Sequence, residues 1–234
     1  MTAKQVLRER VWDALGDAGV ARFPFPPHGR IPNFAGRDAA AERLFDTAAW
    51  RDAATVKCNP DSPQRPVRRR ALEDGKTLFM AVPRLADERP FLRLDPDGIG
   101  DPDDASTISG ADEHGEPVPL DAMPPIDLVV CGSVAVTAAG DRVGKGEGYS
   151  DLEFALLREH GLVGDRTPVA TTVHGLQVVE DEVTTGDHDV PLDLIATPER
   201  LLEPAPRPKP TGVDRDALDD ERLDEIPALR RDHG

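Results

Sequence analysis

Leu7, Val11, Leu15 and Ala18 recur near the helical period and predict a helix over Ala3–Ala18, capped by Thr2 and stopped by Gly19. The run Phe23-Pro-Phe-Pro-Pro-His-Gly-Arg-Ile-Pro-Asn-Phe34 is too rich in proline for a helix and reads as a loop. Further along, the pattern predicts a helix over Arg37–Trp50, a short strand over Ala54–Cys58 and a basic helix over Arg65–Glu73 that stops at Asp74-Gly75. A buried-type strand follows over Thr77–Val82, closed by Pro83. Residues Asp95–Pro125 are acidic and rich in Gly and Pro, which predicts a long excursion from the sheet. Strands are then expected at Asp127–Cys131, Pro168–Val173 and Leu192–Ala196, with a helix over Asp151–Glu159.

Strands alternating with helices predict an α/β fold, a mainly parallel sheet covered on both faces. Ligands in such sheets bind at the carboxyl ends of the strands. After Leu202 the composition shifts to Pro, Arg, Asp and Glu, so residues 1–202 are expected to form the domain and 203–234 a largely disordered tail. Within that tail Leu218–Leu229 has the pattern of a transient helix.

Composition narrows the function. The net charge of −16 argues against a general nucleic-acid binder, because an acidic surface repels phosphates. The basic run Arg65–Arg70 reads as a charged helix face rather than an RNA site. Few lysines against many aspartates and arginines suit a salt-adapted cytoplasm, where ions screen the surface charge. Cys58 and Cys131 each lie in an apolar strand and read as small buried residues. No apolar run approaches ~20 residues and the N-terminus has no signal-peptide core, so a cytoplasmic protein without a membrane partner, by default a monomer, is expected.

The segment Asp141-Arg-Val-Gly144-Lys-Gly146-Glu-Gly148-Tyr-Ser-Asp151 carries the most chemistry. Glycine at alternate positions lets the backbone turn and press against a ligand. Free N–H groups at the mouth of the next helix attract an anion, and Arg142 and Lys145 add charge that suits phosphate. Such glycines also suit an ordinary surface loop, and the spacing matches neither of the standard nucleotide fingerprints. Asp151 fits a helix cap or a cation ligand. Lys4 and Arg8 share one face of the first helix, which on spacing alone is a solvated face.

The pattern Arg142-x-Gly144-x-Gly146-x-Gly148-Tyr149-x-Asp151 resembles the nucleotide loop of the 5-formyltetrahydrofolate cyclo-ligase family. Members usually read Arg-x-Gly-x-Gly-Gly-Gly-Tyr-Tyr-Asp-Arg. Here Glu147 replaces a glycine, Ser150 the second tyrosine and Leu152 the arginine. Lys4-Gln-Val-Leu-Arg8 matches a family Lys-x-x-x-Arg helix, and Gln177-Val178, His188-Asp189 and Leu194-Ile-Ala-Thr197 follow the family order. The Gly75-Lys76…Pro83-Arg84 run is similar to the family's Gly-Lys…Pro strand, with Arg84 placed to face the site. Arg30–Phe34, Gly132–Val136 and Gly144–Glu153 look like the methenyltetrahydrofolate synthase domain-containing branch.

The resemblance implies a Rossmann-like three-layer fold and ATP-dependent conversion of 5-formyltetrahydrofolate to 5,10-methenyltetrahydrofolate. It implies that Lys4, Arg8, Arg142, Lys145 and the Gly144, Gly146, Glu147 and Gly148 backbone hold ATP phosphates, that Tyr149 lines the site, and that Asp151 and Asp189 hold Mg²⁺. His188 is expected to be structural. The family's Ile-Pro-Glu-Pro-like folate segment and its early formyl-contacting glutamate have no recognisable counterpart. A nucleotide-binding regulatory protein that lacks folate turnover is therefore the alternative.

Overall fold

The computed structural model describes residues 2–229. Its helices are α1 (Ala3–Asp17), α2 (Arg37–Phe45), α3 (Ala48–Asp52), α4 (Arg65–Glu73), α5 (Pro102–Ala105), α6 (Ile108–His114), α7 (Tyr149–Glu159) and α8 (Asp220–Glu225). The strands, in chain order, are β1 (Ala21–Arg22), β2 (Asn33–Phe34), β3 (Thr55–Cys58), β4 (Thr77–Ala81), β5 (Phe91–Leu94), β6 (Glu116–Val118) and β7 (Leu128–Val130). They continue as β8 (Ala135–Thr137), β9 (Arg142–Val143), β10 (Val169–Thr172), β11 (Val178–Val179), β12 (Leu194–Ala196) and β13 (Leu201–Leu202).

The main sheet has the order β13-β12-β10-β7-β3-β4-β5-β6. Its centre, β12 to β4, is parallel, and β13, β5 and β6 are antiparallel additions at the edges. The two-residue period of a strand sorts side chains to opposite faces. Leu78 and Met80 of β4, with Leu128 and Val130 of β7, pack on one face with α2 and α4. Phe79, Ala81 and Val129 face the other side, where Phe154, Leu156 and Leu157 of α7 cover them. Leu7, Val11, Trp12 and Leu15 of α1 pack on Ala135 and Val143 of a small sheet ordered β11-β8-β9.

The first helix starts where expected, with the Thr2 hydroxyl accepting from the Gln5 N–H at 3.3 Å. The helix expected over Arg37–Trp50 is two helices. Thr47 breaks it, donating to Leu44 O at 2.7 Å and capping α3 by accepting from Trp50 N at 3.2 Å, and the turn stacks Trp50 on Phe45. Residues 95–125 are not simply an excursion, since they return as β6, whose Val118 pairs with Phe91 of β5. The basic run is not an open patch. Arg68 is buried and donates to Ser106 O and Asn59 O, while Arg65, Arg69 and Arg70 pair with Asp103, Glu73 and Asp74.

Residues 203–229 differ most from expectation. Ile226 and Leu229 are buried in the α7 core, and Lys209 is buried with its ammonium 2.8 Å from Asp193. Arg215 grips both carboxylate oxygens of Glu159, at 2.7 and 2.8 Å. A few apolar residues among many charges suffice to dock the segment, although its average composition reads as disordered. The expectation for residues 230–234 lies outside the described residues. Both cysteines are free and buried, and burial pushes the Cys58 thiol up to about 11. No helix among the described residues is long and apolar enough to cross a membrane.

Candidate functional site

The main sheet reverses between β3 and β7. From β3 the chain steps outward to β4, β5 and β6, then returns beside β3 as β7 and steps the other way to β10 and β12. A crevice opens at the strand ends where the order reverses, and open α/β sheets bind ligands there. Here it is a cavity of about 330 Å³, lined by Asn59, Pro60 and Asp61 after β3, Gly132 after β7, and Val82, Pro83 and Arg84 after β4. Arg84 and Leu85 have φ of 58° and 54°, a left-handed backbone that is strained for residues with a Cβ.

The glycine-rich loop forms the opposite wall, contributing Gly144, Lys145, Glu147, Gly148, Tyr149 and Asp151. Gly146 and Gly148 have φ of 116° and 73°, which is why these turns take glycine. Among the described residues, the N–H groups of residues 144–148 donate to no other atom of the chain. They precede α7, whose N-cap is Gly148, with no side-chain cap. Free N–H groups beside a helix N-terminus form a concavity that suits an anion.

Cations surround this loop. Arg8 Nε donates to Gly144 O at 2.7 Å, and Lys145 pairs with Glu147 at 2.8 Å. Arg142 is buried, donates to Gly132 O at 3.2 Å and pairs with Asp151. Burial opposes the charge on Arg142, but Asp151, Cys131 and Asp189 outweigh it and hold its pKa above the ordinary value. Asp151 Oδ1 also accepts from Val190 N at 3.1 Å. Lys4 meets Asp189 Oδ2 at 2.8 Å, and that oxygen accepts from Gly186 N at 2.8 Å. Arg142, Lys145, Tyr149 and Asp151 thus share one cavity, with Arg8 behind the loop. Asp189 lines a neighbouring cavity, whose wall Arg142 shares.

A family model for 5-formyltetrahydrofolate cyclo-ligases matches residues 1–198. The chain belongs to this family. The methenyltetrahydrofolate synthase domain-containing protein of Mus musculus is 44% identical over 97% of the chain, and its Homo sapiens counterpart 39% identical over 97%. The chain spans 62% and 61% of the length of those relatives. The NMR structure of Aquifex aeolicus 5,10-methenyltetrahydrofolate synthetase has a TM-score of 0.54 at 17% identity, covering 86% of this chain and 93% of that one. That likeness is one of fold.

Against the cyclo-ligase loop pattern, the substituted Glu147 places a carboxylate on Lys145. Sequence reading missed the polar interior of the cavity. Lys57 and Glu153 form a buried ion pair, and Lys57 also donates to Asn59 Oδ1 at 3.2 Å. Ser150 Oγ donates to the same Asn59 oxygen at 3.3 Å, so the first turn of α7 is tied to the end of β3. Asp61 stands beside them. Burial pushes its carboxyl above the ordinary range, against the pull of Lys145 and Arg68. A Cβ on Gly132 would lie 2.6 Å from Asp61 Oδ2, so glycine there makes room for that carboxylate. The signal available in sequence was a charged Lys57 within an apolar strand run, which needs a buried partner.

Asp151 and Asp189 line different cavities, and each keeps an oxygen of the type that magnesium takes. Asp151 accepts through Oδ1 and Asp189 through Oδ2, leaving the other oxygen of each without a hydrogen bond among the described residues. Magnesium takes single carboxylate oxygens together with phosphate oxygens and waters, so the donor type of each residue fits that ion.

Proposed function

We propose that this cyclo-ligase family member converts 5-formyltetrahydrofolate to 5,10-methenyltetrahydrofolate at the expense of ATP. The observation that carries the reading is the glycine-rich loop, with free N–H groups and flanking cations, on a cavity at the sheet's reversal point. In this reading the γ-phosphoryl group passes to the formyl oxygen. N10 then attacks the activated carbon and loses its proton, the C–O bond breaks, and the oxygen leaves with phosphate. The chain's part is to position reactants and stabilise charge. Arg142, Lys145, Lys4 and Arg8, with the Gly144, Gly146, Glu147 and Gly148 backbone, hold phosphates, and Tyr149 orders the loop mouth. Asp151 and Asp189 would hold Mg²⁺, which when bound neutralises phosphate charge. The apolar wall of Met80, Val82 and Leu92 is suited to a planar ring.

The test is purified protein with 5-formyltetrahydrofolate, ATP and Mg²⁺, following absorbance of the methenyl product across a salt series. ATP-dependent product is expected, and its absence at every salt concentration would sink the assignment. One observation favours a second reading, a nucleotide-binding regulatory protein. Glu147 occupies the Lys145 ammonium and adds negative charge to a phosphate loop. Calorimetry separates the two: tight reduced-folate binding excludes the second, and ATP affinity without folate affinity supports it.

A further inference from the structure

The glycine-rich loop is held by two guanidinium groups from opposite ends of the chain. Arg8 of α1 donates to Gly144 O, and Arg222 of α8 donates to Glu147 O. Arg222 also lies over the Tyr149 ring, 4.6 Å from its centroid, and its NH1 is 3.7 Å from where a Gly148 Cβ would stand. A trans peptide points its carbonyl and N–H in opposite directions. Fixing Gly144 O therefore aims the Lys145 N–H, and fixing Glu147 O aims the Gly148 N–H. These are among the N–H groups that donate to no other described atom.

The delivery of Arg222 is built into the fold. Asp219 caps α8 by accepting from the Arg222 N–H at 2.8 Å. Ile226 and Leu229 anchor the far side of α8 in the α7 core, and Arg215 anchors the near side on Glu159. Arg84, Glu147, Tyr149 and Arg222 together line a cavity of about 270 Å³ at the mouth of the main one. The segment that brings Arg222 lies beyond residue 198, where the family match ends.

We infer that Arg222 is a positioning residue for the anion-binding loop: by holding Glu147 O and covering Tyr149 it sets the direction of the loop N–H groups. The inference rests on the reading of this loop as a phosphate cradle. It assigns the C-terminal segment a role in the site rather than that of a passive tail. Arginine suits the task because its planar fork stacks on a ring and donates at the same time, whereas lysine keeps only the charge and a donor.

The full chain is tested as wild type, Arg222→Ala and Arg222→Lys, with ¹³C-labelled tyrosine. Tyr149 is the chain's one tyrosine, so a single ring signal reports this contact. Arg222→Ala is expected to shift that signal, shift the amide resonances of residues 144–148 and raise the KM for ATP about tenfold with kcat nearly kept. That factor is the weight of one charge-assisted hydrogen bond. Arg222→Lys is expected to restore part of the KM at an unchanged melting temperature. The inference is overturned if the ring signal and the loop amide resonances stay as in wild type. It is equally overturned if both variants lose kcat and melting temperature together, the mark of a merely structural residue. If wild type has no ATP affinity, the reading of the loop as an ATP site falls, and the ring signal and loop amide resonances still decide whether Arg222 positions it.

Discussion

At Asp151, Oδ1 accepts from Arg142 and from the Val190 N–H, which ties the loop-helix junction to the chain just before β12. The cap of α7 is Gly148, so a capping role for Asp151 is not what its position provides. Removing its charge leaves a buried guanidinium unpaired. Asp151→Asn is therefore expected to lose about 3 kcal/mol in denaturant unfolding, in addition to any loss of Mg²⁺-dependent turnover. The Lys57–Glu153 pair allows a cleaner stability test. Glu153→Gln alone is expected to cost about 3–5 kcal/mol, while Lys57→Met with Glu153→Leu should fold with nearly wild-type stability. At Asp189, burial raises the carboxyl pKa, but hydrogen bonds from Lys4 and the Gly186 N–H outweigh it and bring it below the ordinary value. A depressed carboxylate contributes stability above its unfolded pKa and loses it as pH falls through the folded one. The stability gap between wild type and Lys4→Ala is thus expected to hold at neutral pH and close below about pH 4.

Among the elements, those with strong periodicity were legible in sequence. The α1 stripe, the basic α4 and the apolar β4 and β7 lie within a residue or two of their expected bounds. Two-residue strands such as β1, β9 and β11 were not, because so short a run carries no period and is fixed by its partner. The β5 strand Phe91–Leu94 was hidden by its flanking prolines and charges. The contacts of segment 203–229 were hidden for a related reason. Its average composition is polar, but its docking depends on the particular residues Ile226, Leu229 and Arg215. The Arg215 hydrogen bond, working against burial and helped by the Val213 N–H, holds the Glu159 carboxyl below its ordinary value. This contact is therefore kept above about pH 4 and lost as pH falls further. Glu159→Gln is expected to speed hydrogen exchange over residues 213–229 at neutral pH while β3 and β7 stay protected, which mass spectrometry can read.

For the whole molecule, the sheet order places the site. A parallel sheet that reverses between β3 and β7 opens a crevice, and α1, α7 and α8 converge on its mouth from distant parts of the chain. The loop itself was legible, since alternate glycines with Arg142 and Lys145 state their chemistry locally. The Lys57–Glu153 pair, Asp61 and Arg222 were not, because each acts through a contact that only the fold creates. The central claim is that the free N–H groups of residues 144–148 receive nucleotide phosphates. The most direct measurement is amide hydrogen exchange at those residues with and without ATP and Mg²⁺. The account predicts that exchange slows there on ATP addition, together with the first turn of α7. ATP binding that leaves residues 144–148 unchanged and protects another surface would contradict it.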